Sequence, residues 1–310
     1  MFIPQSTADG SFTFFSSQFG EAFHSHHGAH QEAQFKFVEP TGLRQKALKP
    51  KLRLLDVCYG LGYNTAAALA TIWAINPSCD VEVVGLELNP SVPLAAIAHR
   101  LLNIWSQPIP QLLTHLATTY QARTDHFKAN LLIGDARVTI RQVQDWNFQA
   151  DAIFLDPFSP PNCPQMWTVE FLEHVSSCLC SNGRLATYSC AASVRTALMA
   201  AGLQIGSTLP VGRRSPGTVA SWSMSDLPVL SQQQQEYLLT RAAIPYRDPQ
   251  LVDSNTVILQ RRQREQHASS LEPTSRWMKR TRAMSKQNSL DGGRDNERSQ
   301  NSAIQKSERS

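Results

Sequence analysis

Residues 52–65, LRLLDVCYGLGYNT, limit the choice of folds more than any other stretch of the chain. An apolar run from Leu52 to Val57 carries Asp56 near its end and breaks at Gly60 and Gly62. A small-residue helical pattern, TAAALATIWAI, follows over residues 65–75. Strand, glycine turn and helix in that order are what doubly wound α/β proteins use to hold a nucleotide. Glycines let the backbone turn sharply and approach a ligand closely, and a helix start offers unpaired N–H groups. A single G-x-G serves equally well as a plain structural turn, so the decision rests on what comes after it.

Acids follow at regular places. The second apolar run, VEVVGL over 81–86, leads into Glu87, and an acid there can accept both ribose hydroxyls of a nucleoside. Residues 130–133 form the next strand, with Gly134-Asp135-Ala136 at its end. Asp135 either meets an adenine amino group or caps the following helix. The strand over 151–156, DAIFLD, runs directly into prolines at 157, 160, 161 and 164, which forbid a continuing strand or helix. Asp156 is thereby held at the carboxyl edge of the sheet, where ligands bind in open α/β folds. Helices are expected over 90–105, 112–120, 167–179 and 193–201, and strands over 183–189, 203–209 and 218–224. The alternation predicts a mostly parallel sheet, and two last strands joined by the basic loop VGRRSPG predict an antiparallel hairpin at one edge.

Before this unit, residues 11–23 (SFTFFSSQFGEAF) read as a small hairpin, and residues 31–38 as a short helix or strand. His24, His26, His27 and His30 lie close together, but no Cys or carboxylate set accompanies them at a ligand spacing, so no metal is expected. After Met224 the composition turns polar, a basic helix is expected over 253–267, and from about Met284 the chain reads as disordered. The expected organisation is an N-terminal extension over 1–50, a catalytic domain over 51–226, a basic helical extension over 227–283 and a tail over 284–310.

Charge is uneven along the 310 residues. Positions 261–310 hold 12 Lys and Arg against 6 Asp and Glu, leaving 17 against 19 for the rest. That distribution suits either a polyanionic partner or a solvated tail. No apolar run nears the roughly 20 residues of a membrane helix, and the start, MFIPQSTADG, has no basic or apolar leader region. Six cysteines without C-x-x-C pairing read as reduced core thiols, so a cytoplasmic protein is expected.

Three positions after Gly62 stands Thr65 where the dinucleotide fingerprint needs its third glycine, so a mononucleoside ligand fits better than NAD. S-adenosyl-L-methionine is the natural candidate, with Asp56, Cys58, Gly60, Gly62, Asn64, Glu87, Asp135 and Ala136 as its contacts.

The chain resembles the methyltransferase domain of the MnmC-type tRNA modification enzymes. The resemblance is carried by DGSFTFFSSQFGEAFHS with Gly28 and Glu32 after it, LLDVCYGLGYNT, VVGLELNP, LIGDAR, DAIFLDPFSPPNCPQMWT, GRLATYSCAASVRTALMAAG and GRRSPG, in order over about residues 9–224. It implies a Rossmann-like class I methyltransferase fold with a mostly parallel seven-stranded sheet and an antiparallel edge strand. It further implies methylation of a 5-aminomethyl group on a wobble uridine in the tRNA anticodon loop. Bifunctional members carry an additional FAD-dependent oxidase; no second glycine-rich motif follows here, so methyl transfer without FAD is expected. Asp156 is the expected catalytic residue, accepting from the amine and taking or orienting its proton, with backbone oxygens of the Asp-Pro-Phe segment helping to grip the nitrogen. Phe158 is expected to wall or stack the uracil. Arg213 and Arg214 are expected to meet phosphate, with Arg195, the RRQRE run and residues 276–282 adding basic attraction. An aminopropyl transferase, a methyltransferase acting on protein or a small amine, and a non-catalytic RNA-binding homologue are the rival readings.

Overall fold

The computed structural model describes residues 2–212 and 215–281. The expected disordered tail and the Arg213–Arg214 pair therefore lie outside the described residues. Two short antiparallel ribbons open the chain: β1 (Gln5–Ser6) with β2 (Phe12–Thr13), and β3 (Phe15–Ser16) with β4 (Glu21–Ala22). Residues 31–38 are helical. A first turn, Ala29–Glu32, widens into a π-helical segment, Ala33–Val38. Gly28 enters that turn at φ 154°, and a side chain there would run into the Asp9 carboxylate, whose Oδ2 accepts from the Gln31 N–H.

The main sheet consists of β5 (Lys51–Val57), β6 (Asp80–Glu87), β7 (Gln121–Arg123), β8 (Phe127–Ile133), β9 (Ala150–Leu155), β10 (Leu179–Thr187), β11 (Gln204–Ser207) and β12 (Thr218–Ser221). Their spatial order is β11-β12-β10-β9-β5-β6-β8-β7. It has eight strands rather than seven. The additional strand, β7, has three residues and follows directly on the helix Ile109–Thr119, whose end at Tyr120 takes φ 61°. Too short to show an alternating pattern, it pairs antiparallel with β8 and forms one edge. At the other side β12 is antiparallel to both neighbours but sits one place in, and β11 forms the edge.

The apolar runs explain the parallel centre. Along β5, Leu52 and Leu54 enter one core layer while Leu55 and Val57 enter the other, and all four are fully buried. At roughly 1.5–3 kcal/mol per buried aliphatic side chain, a one-residue slip is strongly disfavoured. The parallel register brings Val57 opposite both Leu86 and Leu155, and Glu87 opposite Ile133. From β5 the chain winds outward through β6 and β8, then returns to β9 on β5's other side. A crevice therefore opens at the carboxyl ends of β5 and β9.

The expected helix over 90–105 is two pieces, Ser91–Ala98 and the 3-10 turn Leu101–Ile104, broken where Arg100 adopts φ 57°. The basic helix is present as Asn255–Ala268, and its Ile258 is buried in the core beside Tyr246 and Leu251. No helix among the described residues is long and apolar enough to cross a membrane.

Arg137 binds the C-terminal extension to the sheet. Its guanidinium pairs with Asp135 at 2.7 Å and with Asp248 at 2.9 Å, and also donates to the Asp253 carbonyl. Asp248 is fully buried. Replacing one partner of such a pair strands the other charge, at a cost of about 3–5 kcal/mol. Arg137→Met is therefore expected to lower the urea midpoint by the equivalent of ~3 kcal/mol. Equilibrium urea unfolding followed by intrinsic tryptophan fluorescence checks this, and an unchanged midpoint would show that the extension is held without the bridge.

Candidate active site

The acids expected at strand ends, apart from Asp56, line one cavity of about 580 Å³, within the range of small-molecule sites. Its walls include Cys58, Gly60, Asn64, Glu87, Asp135, Ala136, Asp156 and Phe158.

The first turn is unusually bent. Cys58 takes φ 68° and Gly62 φ 83°, and a side chain on Gly62 would stand 2.7 Å from the Tyr59 hydroxyl. A left-handed cysteine costs of order 1 kcal/mol, the kind of strain found where backbone must face a ligand. Gly62 then opens the helix Tyr63–Ile75 without a side-chain cap. Glu87 fixes the turn: its Oε2 accepts from the Gly60 N–H at 2.8 Å and its Oε1 from the Asn89 N–H at 2.8 Å. Burial raises the Glu87 pKa, opposed by those backbone donors.

Asp56 does not reach the cavity. Side chains alternate along β5, so this residue points beneath the helix, where its Oδ2 accepts from Thr65 Oγ1 at 2.7 Å and its Oδ1 has no donor. Burial pushes its pKa up to about 7.

Asp135 takes the helix-capping place: it accepts from the Arg137 N–H at 2.9 Å at the start of the helix Ala136–Asp145 while still lining the cavity. Burial would raise its pKa, but the Arg137 bonds outweigh it and hold the group below its ordinary value.

Asp156 is half-buried, and its Oδ2 accepts from Asn64 Nδ2 at 2.9 Å. Burial drives its pKa well up, the Asn64 bond opposes this, and the Glu32 and Asp56 charges add to the rise. Two residues lining the cavity each hold a buried side-chain oxygen without a donor, Asn64 Oδ1 and Gln165 Oε1. Such acceptors beside a strained turn and carboxylates fit a nucleoside ligand that brings N–H and O–H groups and positive charge.

Phe158 lies on the cavity wall, but Phe19 stacks on it at 4.4 Å and Phe23 meets it edge-on at 5.0 Å. The N-terminal ribbon thus packs against the ring expected to wall or stack a base. Glu21 latches this ribbon down, accepting from the Ser159 N–H and Asn162 Nδ2 at 2.9 and 2.8 Å and from the Ser159 hydroxyl. Phe19, Glu21, Phe23, Ser25, Glu32, Gln165 and Tyr188 all line the cavity, yet no local pattern singled out their roles. The available signal was the dense aromatic and polar run over 12–23.

Several expected phosphate contacts are instead structural. Arg195 is buried and donates to Thr218 Oγ1 at 3.0 Å and to the Gly217 carbonyl at 3.2 Å. Arg261 pairs with Asp253, Arg262 donates to the Ile244 and Ala242 carbonyls over the Tyr246 ring, and Arg280 pairs with Glu272 and Glu236. Of the histidines, His24 is buried against Thr13, and His26 packs on His27 at 4.0 Å. No group of three or more metal-ligating side chains occurs among the described residues.

Residues 98–223 match a family described as S-adenosyl-L-methionine-dependent methyltransferase. The fold is similar to the crystal structure of MNMC2 from Aquifex aeolicus, with a TM-score of 0.76 and 33% identity over 87% of this chain and 86% of that one. An uncharacterized protein of Methanocaldococcus jannaschii is 30% identical over 83% of this chain and 70% of its own length. The tRNA 5-methylaminomethyl-2-thiouridine biosynthesis bifunctional protein MnmC of Acidovorax is 30% identical over 62% of this chain. That match spans 31% of the bifunctional protein's length.

The buried Asp56 carboxyl gives a signed pH effect. Its folded pKa lies above the ordinary 3.8, so the folded state holds the proton more tightly than the unfolded chain does. Its contribution is fully present below about pH 4 and is lost as pH rises to about 7. Asp56→Asn, which cannot ionise, is expected to gain on wild type in melting temperature between pH 5 and pH 8 by at least ~3 °C, about 1 kcal/mol. Parallel melting curves across that range would contradict the assignment.

Proposed function

Because the chain belongs to the MnmC-type family of S-adenosyl-L-methionine-dependent methyltransferases, we propose that it methylates the amine of 5-aminomethyl-(2-thio)uridine at the tRNA wobble position, giving 5-methylaminomethyl-(2-thio)uridine. The observation that carries this reading is Asp156, held by Asn64 on the wall of a cavity whose other strand ends suit a nucleoside. The named relatives in tRNA 5-methylaminomethyl-2-thiouridine biosynthesis support the choice of acceptor. The reading concerns methyl transfer alone.

The Cys58–Gly62 turn, Glu87, Asp135 and Ala136 would hold S-adenosyl-L-methionine, with the two ribose hydroxyls on Glu87. When bound, it would supply an activated sulfonium methyl together with a thioether leaving group that keeps the bonding electrons. Most of what the protein contributes is alignment of the amine with that methyl. An alkylammonium has no lone pair, so one proton must leave before attack. Asp156 accepts from the nitrogen and takes that proton, and its raised pKa makes it a better base than an exposed carboxylate. An anticodon-loop base is single-stranded and enters a pocket without the cost of opening a duplex.

Incubation with methyl-labelled S-adenosyl-L-methionine and either aminomethyl-bearing or unmodified tRNA tests the reading. Label is expected only in the aminomethyl tRNA, and Asp156→Ala is expected to lower the rate by ~10²-fold or more. Binding of S-adenosyl-L-methionine with no tRNA labelled would remove the acceptor assignment and leave a small amine or a protein to be tried.

A further inference from the structure

An ammonium presents three N–H groups beside Asp156, and the nearest backbone oxygens are already engaged. The Pro157 carbonyl accepts from the Tyr188 hydroxyl at 2.9 Å, and the Phe158 carbonyl accepts from Trp167 Nε1 at 2.9 Å. Asp156 Oδ2 is shared with Asn64. The Asp-Pro-Phe segment therefore offers Asp156 Oδ1 and one remaining lone pair on each of these two carbonyls.

Acceptors of a different origin line the same cavity. Glu32 ends the first helical turn where it widens into the π-helical segment, a distortion common at functional sites. Its Oε2 accepts from the Ser25 N–H at 3.1 Å, leaving Oε1 for the cavity. Ser25 is 5% exposed, lines the cavity, and its hydroxyl has no hydrogen-bond partner. The Glu32 charge is felt at Asp156, where it opposes ionisation. Two carboxylates sharing a half-dry cavity repel each other, and a bound cation relieves that repulsion.

We propose that Glu32 and Asp156 grip the acceptor as its ammonium, with the Ser25 hydroxyl beside Glu32 taking a further N–H, so that the site selects a protonated amine over a neutral group of the same shape. This rests on the methyl-transfer reading above. One N–H bond then breaks, its proton passes to Asp156, and the electron pair stays on nitrogen as the attacking lone pair. The Glu32 carboxylate, on the wall of the same cavity, stays beside the positively charged product amine.

The test compares wild type, Glu32→Gln and Ser25→Ala on tRNA carrying 5-aminomethyluridine, with tRNA carrying 5-hydroxymethyluridine as competitor. Affinity for S-adenosyl-L-methionine is measured alongside by calorimetry. Wild type is expected to bind the hydroxymethyl tRNA at least ~10-fold more weakly than the aminomethyl tRNA. Glu32→Gln is expected to raise KM for the aminomethyl tRNA by about 10–100-fold and to erase that preference. Its affinity for S-adenosyl-L-methionine should stay within about twofold of wild type. An active wild type together with a folded Glu32→Gln variant of unchanged KM and unchanged preference overturns the proposal. If Glu32→Gln loses cooperative melting, Ser25→Ala decides, since it removes only an unpartnered hydroxyl: a KM raised ~3-fold or more supports the grip, and an unchanged KM overturns it. A wild type that methylates no aminomethyl tRNA overturns the acceptor assignment itself, a result distinct from an active enzyme indifferent to Glu32.

Discussion

Carboxylates are expensive to bury, and this molecule gathers several of them around the carboxyl edge of one sheet. Asp56 is completely enclosed, Glu87 nearly so, and Asp156 and Glu32 stand half-buried against the same cavity. Moving an unpaired carboxylate into such surroundings costs several kcal/mol unless donors or cations compensate. Most of the donors used here are neutral: Thr65 for Asp56, the Gly60 and Asn89 N–H groups for Glu87, Asn64 for Asp156, and the Ser25 N–H for Glu32. Only Asp135 has a guanidinium, and it alone of the strand-end acids has its pKa held below the ordinary value. The pocket is therefore biased toward positive ligands. A sulfonium cofactor and the proposed ammonium acceptor both have that character.

That electrostatic bias needs limited access for water, and the N-terminal segment supplies it. Phe19 and Phe23 lie against Phe158, and Glu21 ties their ribbon to Ser159 and Asn162 on the proline-stiffened loop. The same segment contributes Ser25 and Glu32, so what covers the site also furnishes part of its chemistry. A lower local dielectric strengthens each hydrogen bond to the acids and also their mutual repulsion.

The sheet was legible because its strands are buried on both faces and read as apolar runs, and because Glu87, Asp135 and Asp156 fall where those runs stop. Beyond them, periodicity carries little. β7 is too short to alternate, and Arg100 breaks a helix without a glycine to mark it. Position along a strand also does not tell which face a residue takes relative to a ligand. Asp56 reads as a cofactor contact from its place beside the glycine turn, yet the pleat turns it under the helix. Phe158 lies on the cavity wall, but nothing local shows that residues about 140 positions earlier pack against its ring. The arginines show the same blindness: basic residues clustered in sequence look like a surface for polyanions, whereas Arg195, Arg261 and Arg262 spend their hydrogen bonds inside the protein.

The internal use of those charges gives the C-terminal extension a part in the site. Arg137 touches Asp135 at the cavity and Asp248 in the extension, and Asp248 in turn receives the Val252 and Asp253 N–H groups that shape the turn before the helix Asn255–Ala268. Asp135 and the extension therefore share one guanidinium. A carboxylate on the cavity wall is thus linked, through one side chain, to a residue more than 100 positions later in the chain. Displacing the extension would release two of the bonds that hold this guanidinium, to Asp248 and to the Asp253 carbonyl, and so loosen the side chain that also grips Asp135.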